Sequence, residues 1–236
     1  MKFNLLCTKS TKGSVSLKLL AQALSNKLGY KVLRTQKVST KRLSYKYGHS
    51  VDKLTQYQWF KDQGLSALEF TQDYNTAFQW FNEEKTIVGR TLLNSSCGKG
   101  IIIWDGKTDD QFDDSRCCKV YTVYKKKKRE FRVHVFKDTV ISVVEKRKKK
   151  DWADQRDTKV RNLANGYIFC QEVTNEPAGL RELALKAAKV SPSDFRGVDI
   201  GYNEKNDDLF IIEVNSAPGI TGTNIVKYVQ GITQNV

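Results

Sequence analysis

The sequence lacks a long apolar run: no stretch approaches the about 20 consecutive apolar residues that a membrane-spanning helix needs. The apolar stretch near the start, FNLLC, is too short for a secretory signal peptide, so we expect a cytoplasmic protein. Proline is scarce, at three of 236 residues, while 39% of the residues are apolar and 11% are aromatic. This composition predicts a globular chain with enough length for one large domain or two small ones.

Paired cysteines at metal-binding or redox spacing are absent as well. The chain has an odd number of cysteines, none of them in a C-x-x-C arrangement: Cys7, Cys97, Cys117, Cys118 and Cys170. Cytoplasmic compartments keep thiols reduced, so we predict free cysteines rather than a disulfide framework.

Acidic residues are in the minority, with 26 Asp and Glu against 40 Lys and Arg, which gives a formal net charge of +14. Much of the excess lies in residues 119–150, where 13 basic residues stand against Glu130, Asp138 and Glu145, a balance of +10. A region of this density needs an anionic partner or ample solvent. ATP, nucleic acid and an acidic peptide all fit, and charge alone does not select among them.

Apolar periodicity predicts a small βαβ unit at the start of the chain. FNLLC reads as a buried strand, residues 14–28 carry leucines at helical spacing before Gly29, and YKVLRT reads as the returning strand. The unit therefore spans about residues 1–36. Residues 37–51 are polar and basic, and we predict a connection there.

The rest of the chain alternates helix and hairpin signals. Asp52 and Asp73 are placed to cap two helices, and a third helix is predicted over 179–189. The predicted strands are TIVGRTLL, IIIW, KVYTVY, EFRVHVF, TVISVVEK, GVDIGY and LFIIEVN, with Lys137 and Asp138 as the turn of one hairpin. This pattern predicts an α+β fold with antiparallel hairpins, not a doubly wound sheet.

The stretch LFIIEVNSAPGITGTN ends a predicted strand with two oxygen-bearing side chains. Residues two apart in a strand share a face, so Glu213 and Asn215 should project together while Ile212 and Val214 face the core. Asp199, in the preceding strand, can lie alongside them. Two carboxylates and an amide oxygen suit Mg²⁺ bound together with phosphates. An ordinary strand end that enters a turn is the alternative interpretation.

The segment SSCGKG lies between two apolar strands and carries Gly98 and Gly100 around Lys99. Glycines allow backbone N–H groups to approach phosphate oxygens, and the lysine adds charge. The spacing is not that of the Walker motif, and a plain hairpin loop is the alternative.

Residues 130–146 alternate between two faces, with Arg132 and His134 on one and apolar residues on the other. Arg132 belongs either to a solvated face or to a phosphate clamp, and we expect His134 to be structural.

The order of these motifs resembles the ATP-grasp superfamily, and within it the ribosomal-protein glutamate ligase type. The motifs are DKL, IVGRTLLNSSCGKGI, EFRVHVFKDTVISVVEKR, RNLANG, GVDIG and IIEVNSAPGITG, and they cover about residues 50–230. The chain is also similar to short ATP-grasp proteins of bacteriophages, for which the host cytoplasm would be the location. The resemblance implies two α+β subdomains gripping ATP, over 51–120 and 121–236, preceded by a short unit over 1–50.

The resemblance also assigns residues to roles. Asp199, Glu213 and Asn215 would hold Mg²⁺, with two ions bridged by Glu213 and Mn²⁺ as an alternative metal. The implied nucleotide contacts are Lys53, Arg90, Ser95, Ser96, Gly98, Lys99 and Gly100, with Tyr121, Thr122, Val123 and Tyr124 as the hinge that reads adenine. The implied catalytic residues are Arg132, Asn162, Arg147 and Arg161. Arg90 departs from the family's usual lysine, and the hinge lacks the family's usual glutamate.

The activity that this resemblance implies is an ATP-dependent carboxylate–amine ligase, in which an acylphosphate forms and an amine attacks it. An ATP-grasp phosphotransferase and a nucleic-acid-binding protein with an ATP-grasp shell are the alternatives. Residues 125–129 carry more charge than one ATP requires, so we expect either a site for an acidic peptide or nucleic acid, or a solvated loop.

Overall fold

A parallel three-stranded sheet opens the chain. The computed structural model describes residues 2–95, 98–114, 117–150 and 159–234. The first elements are β1 (Phe3–Cys7), α1 (Val15–Leu28), β2 (Arg34–Thr35) and β3 (Leu43–Tyr47), with strand order β2-β1-β3. The predicted βαβ unit is confirmed. The predicted connection over 37–51 was wrong at β3, because the strand is polar on one face and buries only Tyr45 and Tyr47 on the other.

A four-stranded antiparallel sheet follows, built around an aromatic core. Its order is β4-β7-β5-β6, and α3 packs against it. The elements of this part are α2 (Lys53–Asp62), β4 (Phe70–Thr71), α3 (Tyr74–Asn82), β5 (Thr86–Arg90), β6 (Ile101–Asp105) and β7 (Val120–Val123). The predicted caps are confirmed: Asp52 accepts a hydrogen bond from the Thr55 N–H at 3.0 Å, and Asp73 from the Thr76 N–H at 2.8 Å.

A five-stranded antiparallel sheet, of order β10-β9-β8-β11-β12, forms the larger part of the protein. Its elements are β8 (Arg129–Phe136), β9 (Thr139–Lys148), a 3-10 turn (Leu163–Asn165), β10 (Tyr167–Cys170), α4 (Leu180–Ala188), β11 (Phe195–Asn203), β12 (Asp208–Asn215) and α5 (Thr223–Thr233). The α+β class with antiparallel hairpins is therefore confirmed.

Two helices connect the sheets, because each packs against elements that lie far from it in the sequence. Tyr57 and Phe60 of α2 are buried in the core of the five-stranded sheet. Tyr228 and Ile232 of α5 are buried against β1 and α1. The four cysteines in the described residues form no disulfide bond, and Cys97 lies outside them. No helix in the described ranges has the length and apolar character needed to cross a membrane.

Candidate functional site

A cavity of about 530 Å³ lies between the two larger sheets. The four-stranded sheet contributes Val88, Arg90 and Ile103, and the five-stranded sheet contributes Arg132 and Phe210. The wall thus combines apolar residues with cationic and anionic side chains, a composition typical of a site for a ligand that is part aromatic and part charged.

Two carboxylates meet where β11 and β12 pair. Asp199 and Glu213 are direct partners in the ladder, whereas the next pair beyond them involves Ile211, so Ile212 is an extra residue in a bulge. Ile212 therefore lines the cavity, and the prediction that it faces the core was wrong; Val214 is buried as predicted. The direct pairing of Asp199 with Glu213, and the two-residue spacing of Glu213 and Asn215, bring both carboxylates and the amide to one corner.

Asp199 lies at the centre of a buried charge network. The Arg132 guanidinium donates to both of its oxygens, at 2.6 and 2.8 Å, and Lys146 Nζ lies 2.8 Å from Oδ2. Lys146 also bonds to Glu130. Burial alone would raise the pKa of Asp199, but the charges of Arg132 and Lys146 outweigh it and hold that pKa below its ordinary value. Asp199 is therefore ionised.

Glu213 has its own set of partners. Lys53, the first residue of α2, places Nζ 2.7 Å from Glu213 Oε2, and Asn215 Nδ2 donates to Oε1 at 2.9 Å. Burial opposes ionisation, yet the charges of Lys53 and Arg90 hold the Glu213 pKa far below its usual range. Arg90 Nε is buried and has no hydrogen-bond partner within the described residues. It is a donor that a bound anion could satisfy.

The glycine loop reaches the cavity at Ser95 and Gly98, and Ser96 lies outside the described residues. Gly98 has a φ of 80°, and a Cβ there would lie 3.3 Å from Asn162 Nδ2. The loop therefore packs closely against Asn162. Lys99 is exposed, and neither it nor Gly100 lines the cavity.

The predicted hinge alternates between two environments. Thr122 and Tyr124 line the cavity, whereas Tyr121 is buried in the aromatic core and donates to Asp114. Val123 packs at the edge of that same core. Because β7 pairs with β4 on one side and β5 on the other, its backbone is occupied by the sheet. The structure brings two of the four predicted hinge residues to the cavity.

Of the four predicted catalytic residues, three lie at the cavity and one does not. Arg132, Asn162 and Arg161 line the cavity. Arg161 donates to the carbonyl oxygens of Lys127 and Lys128, each at 3.1 Å. Arg147 points away, since it bonds to Glu145 and to a backbone carbonyl. Its neighbour Lys146 lines the cavity instead, as does Glu130, and neither residue was predicted. Both lie among other charged residues near a strand end, so no local pattern in the sequence singles them out.

The lysine run of residues 125–129 is largely paired. Lys125 Nζ lies 2.7 Å from Asp208, and Lys128 Nζ lies 2.7 Å from Glu204. Arg129 bonds to Glu145, and Lys127 lies 3.6 Å from Glu130. Burial lowers the pKa of Lys127 more than Glu130 raises it. Among described residues Lys126 alone in this run has no salt bridge, and a site here for an acidic peptide or nucleic acid stays a prediction.

His134 is a structural residue, as expected. It is buried with Nδ1 3.3 Å from the Tyr228 hydroxyl, and burial together with the charge of Arg132 lowers its pKa to about 3. The imidazole is therefore neutral at physiological pH.

The donor set of the corner suits a hard cation held with phosphates. It offers two ionised carboxylates and an amide, although within the described ranges no cluster of three or more His, Cys, Asp or Glu side chains could hold a metal alone. Mg²⁺ commonly takes one or two carboxylates and leaves its other positions to water and phosphate oxygens. The residues present therefore fit Mg²⁺ in the company of a nucleotide.

Two α+β layers that close on a cation-lined cavity with a carboxylate corner define the ATP-grasp class. The sequence matches the family model of the RimK-like ATP-grasp domain over residues 88–232. This match covers more than half of the chain, so the protein belongs to the RimK-like ATP-grasp family, which confirms the resemblance. A comparison with curated proteins found no match.

Solved structures support the same fold. The ATP-grasp ligase PsnB complexed with a minimal precursor has a TM-score of 0.69 at 10% identity, with 100% of each chain covered. A RiPP-associated ATP-grasp ligase from Chryseobacterium gregarium, complexed with ADP and a leader and core peptide, has a TM-score of 0.63 at 12% identity, with 100% and 98% covered. D-alanine–D-alanine ligase from Bacillus anthracis has a TM-score of 0.61 at 13% identity, with 99% and 92% covered. The bacteriophage origin stays a prediction.

Proposed function

We propose that this protein is an ATP-dependent carboxylate–amine ligase that releases ADP and forms an amide through an acylphosphate. The observation that carries the proposal is the corner at Asp199, Glu213 and Asn215, ringed by cations at the edge of a part-apolar cavity. That arrangement suits a metal-bound triphosphate, and the proposed chemistry needs no nucleophile from the protein itself.

In the proposed complex the apolar wall holds the adenine, and the phosphates lie toward the carboxylate corner. Val88, Ile103 and Phe210 line the apolar part of the cavity. Arg90 supplies its buried, unpartnered Nε–H to a phosphate oxygen, and the loop at Ser95 and Gly98 covers the same end. Ser96, Lys99 and Gly100 remain proposed members of that loop.

Asp199, Glu213 and Asn215 are the residues that would hold Mg²⁺. When bound, Mg²⁺ neutralises phosphate charge and orients the transferred phosphoryl group. Lys53, Arg132 and Lys146 are now bonded to the two carboxylates. We propose that these cations exchange part of that bonding for phosphate oxygens when the nucleotide enters, which keeps every buried charge partnered.

The chemistry needs two displacements. First, a carboxylate oxygen of the substrate attacks the γ-phosphorus, the bond from that phosphorus to the β-bridging oxygen breaks, and ADP leaves. Second, an amine nitrogen attacks the acyl carbon, phosphate leaves with the C–O bond pair, and the ammonium proton is lost to solvent. We propose that Arg132 and Lys146, which bond to Asp199, offset charge on the transferred phosphoryl group, and that Asn162 and Arg161, which also line the cavity, position the acyl group.

A peptide is the proposed class of substrate. Two of the structural relatives, PsnB and the ligase from C. gregarium, were solved with precursor or leader and core peptides. We propose that this protein likewise takes a peptide as the carboxylate or the amine component. A phosphotransferase would use the same nucleotide site and differ in its product.

Mass spectrometry tests the proposal directly. The protein is incubated with ATP, Mg²⁺, pooled amino acids and a cell extract, and products are examined for the mass of an amide or of a phosphate. We expect an amide with stoichiometric ADP. A phosphorylated product without an amide would replace the ligase by a phosphotransferase.

Asn215→Ala is expected to lower this turnover at least about 100-fold, because it removes a proposed ligand of the metal. Asn206→Ala is the matched control, since Asn206 is exposed at the turn between β11 and β12. Calorimetric titration with ADP should show that Mg²⁺ strengthens binding to the parent and the control but not to Asn215→Ala. An equal loss in both variants would contradict the assignment of Asn215.

A further inference from the structure

The N-terminal unit carries a charge imbalance of its own. Residues 1–50 contain 11 Lys and Arg and no Asp or Glu. Ten of the 11 side chains belong to exposed residues, and no salt bridge links any of the 11 to another residue in the described ranges. Soluble surfaces ordinarily intersperse both signs, because a field of one sign raises self-repulsion. A surface that tolerates this repulsion is suited to an anionic partner.

Four of these cations gather where the parallel strands end. The carboxyl ends of β1, β2 and β3 lie at one edge of the sheet, since all three strands run parallel. Lys9 and Lys12 lie in the loop after β1, and Lys37 lies just after β2. The Arg34 guanidinium donates to the Lys12 carbonyl at 3.1 Å, which joins the two loops. We call Lys9, Lys12, Arg34 and Lys37 the basic edge.

The basic edge is connected to the carboxylate corner by a short path of contacts. Thr11, between Lys9 and Lys12, packs closely against Gly48. A Cβ added at Gly48 would lie 2.4 Å from Thr11 Cγ2. The Gly48 N–H donates to the Ser216 carbonyl at 2.9 Å. Ser216 follows Asn215 directly, so the basic edge adjoins the segment that leaves the cavity.

Two further bonds fix this arrangement. The Tyr47 hydroxyl donates to the Pro218 carbonyl at 3.0 Å, and the Ile220 N–H donates to Ser16 Oγ at 3.0 Å. A ligand that lies along the basic edge is therefore directed toward the cavity by a segment held at both ends.

We propose that the basic edge docks an acidic polypeptide segment, whose neighbouring carboxylate or amine then enters the cavity. Docking of the segment does not depend on the proposed ligase function. The proposal rests on that function only where it makes the docked segment part of the substrate. Charge complementarity carries the choice of an anion. Polypeptide is favoured over single-stranded nucleic acid because the surface offers no fully exposed ring for a base to stack on: in residues 2–50, Phe3, Tyr45 and Tyr47 are buried, and Tyr30 and His49 are half-buried.

Charge-matched variants separate this surface from general electrostatic attraction. The test variant carries Lys9→Gln, Lys12→Gln and Lys37→Gln; Arg34 is kept because it holds the loop. The control carries Lys27→Gln, Lys31→Gln and Lys41→Gln, which are equally exposed but lie toward the other end of the strands. Both variants lose three positive charges from the same unit, so a difference between them reports position.

Binding of a fluorescein-labelled oligoglutamate peptide is measured by anisotropy, without ATP, at about 0.1 M ionic strength, where screening acts over about 10 Å. We expect the test variant to bind about tenfold more weakly than the parent and the control less than about threefold more weakly. Since no turnover is involved, an inactive parent would overturn the proposed function and leave this result standing.

Three outcomes would overturn the proposal. Equal losses in the two variants would mean that the peptide senses only net charge. Failure of the parent to bind the peptide would remove the docking surface. Tighter binding of an oligothymidylate of matched charge, lost in the test variant, would make the edge a nucleic-acid surface instead.

Discussion

Two regions of this protein have nearly the same excess of positive charge and use it in opposite ways. Residues 119–150 have a balance of +10, and residues 1–50 have a balance of +11. In the first region, seven of the 13 cations form salt bridges among the described residues, several of them with carboxylates that distant segments supply, such as Asp199, Glu204 and Asp208. In the second, no such partner is present among the described residues. The net charge of a segment therefore says little about which of its cations remain free for a ligand.

The difference follows from where each region lies. Strands β8 and β9 are central in their sheet, so a charge on them is buried and needs a partner, as Arg132 and Lys146 have in Asp199. The N-terminal cations lie on loops and on exposed faces, where water solvates them without a counter-ion. Burial thus makes the first region an ordered wall of the cavity and leaves the second as an outer surface.

The largest expected effect comes from breaking the buried pairing. Asp199→Asn leaves Arg132 and Lys146 without their shared counter-charge, and we expect the free energy of unfolding to fall by about 3–5 kcal/mol. Asp208→Asn is the control, because its pair with Lys125 is partly exposed and should contribute at most about 1 kcal/mol. Denaturant unfolding monitors both, and a loss below about 1 kcal/mol for Asp199→Asn would mean that the network does not stabilise the fold.

A related contrast, between local signals and contacts with distant segments, explains which elements could be predicted from the sequence. The capped helices and the hairpins were predicted because caps and apolar alternation are local signals, read at Asp52, Asp73 and the turn at Lys137. Helix α5 and strands β3, β4 and β10 were missed, since tertiary contacts rather than local periodicity stabilise them. Tyr228 of α5, for example, is buried against residues that lie far away in the sequence.

At the site, prediction from local sequence patterns succeeds for some residues and fails for their direct neighbours. The motif around Glu213 and Asn215 was found because strand alternation places both on one face. Arg147 was chosen where Lys146 reaches the cavity, because neighbouring residues in a strand point to opposite faces and only the sheet register decides which is inside. The bulge at Ile212 was not predicted either, because it inserts an extra residue into a strand whose side chains were assumed to alternate strictly.

A smaller effect distinguishes adjacent lysines in the first region. Lys125 lines the cavity and Lys126 is exposed, so neutralising each should affect nucleotide binding differently. We expect Lys125→Gln to weaken binding of a non-hydrolysable ATP analogue about threefold, as for one partly exposed charge pair, and Lys126→Gln to leave it unchanged. Calorimetric titration of the ATP analogue into each variant measures the two affinities. Equal affinities would place the triphosphate away from Lys125.

The smallest effect concerns the stability of the second region. Because the N-terminal cations repel one another and have no described counter-ion, the variant with Lys9→Gln, Lys12→Gln and Lys37→Gln should be slightly more stable than the parent, by less than about 1 kcal/mol at low ionic strength. The control at Lys27, Lys31 and Lys41 should gain a similar amount. Both gains should vanish at about 1 M salt, where screening acts over about 3 Å. If the first variant is instead less stable by more than about 1 kcal/mol at every salt concentration, its lysines hold the fold, and the two basic regions differ less than their ion pairs indicate.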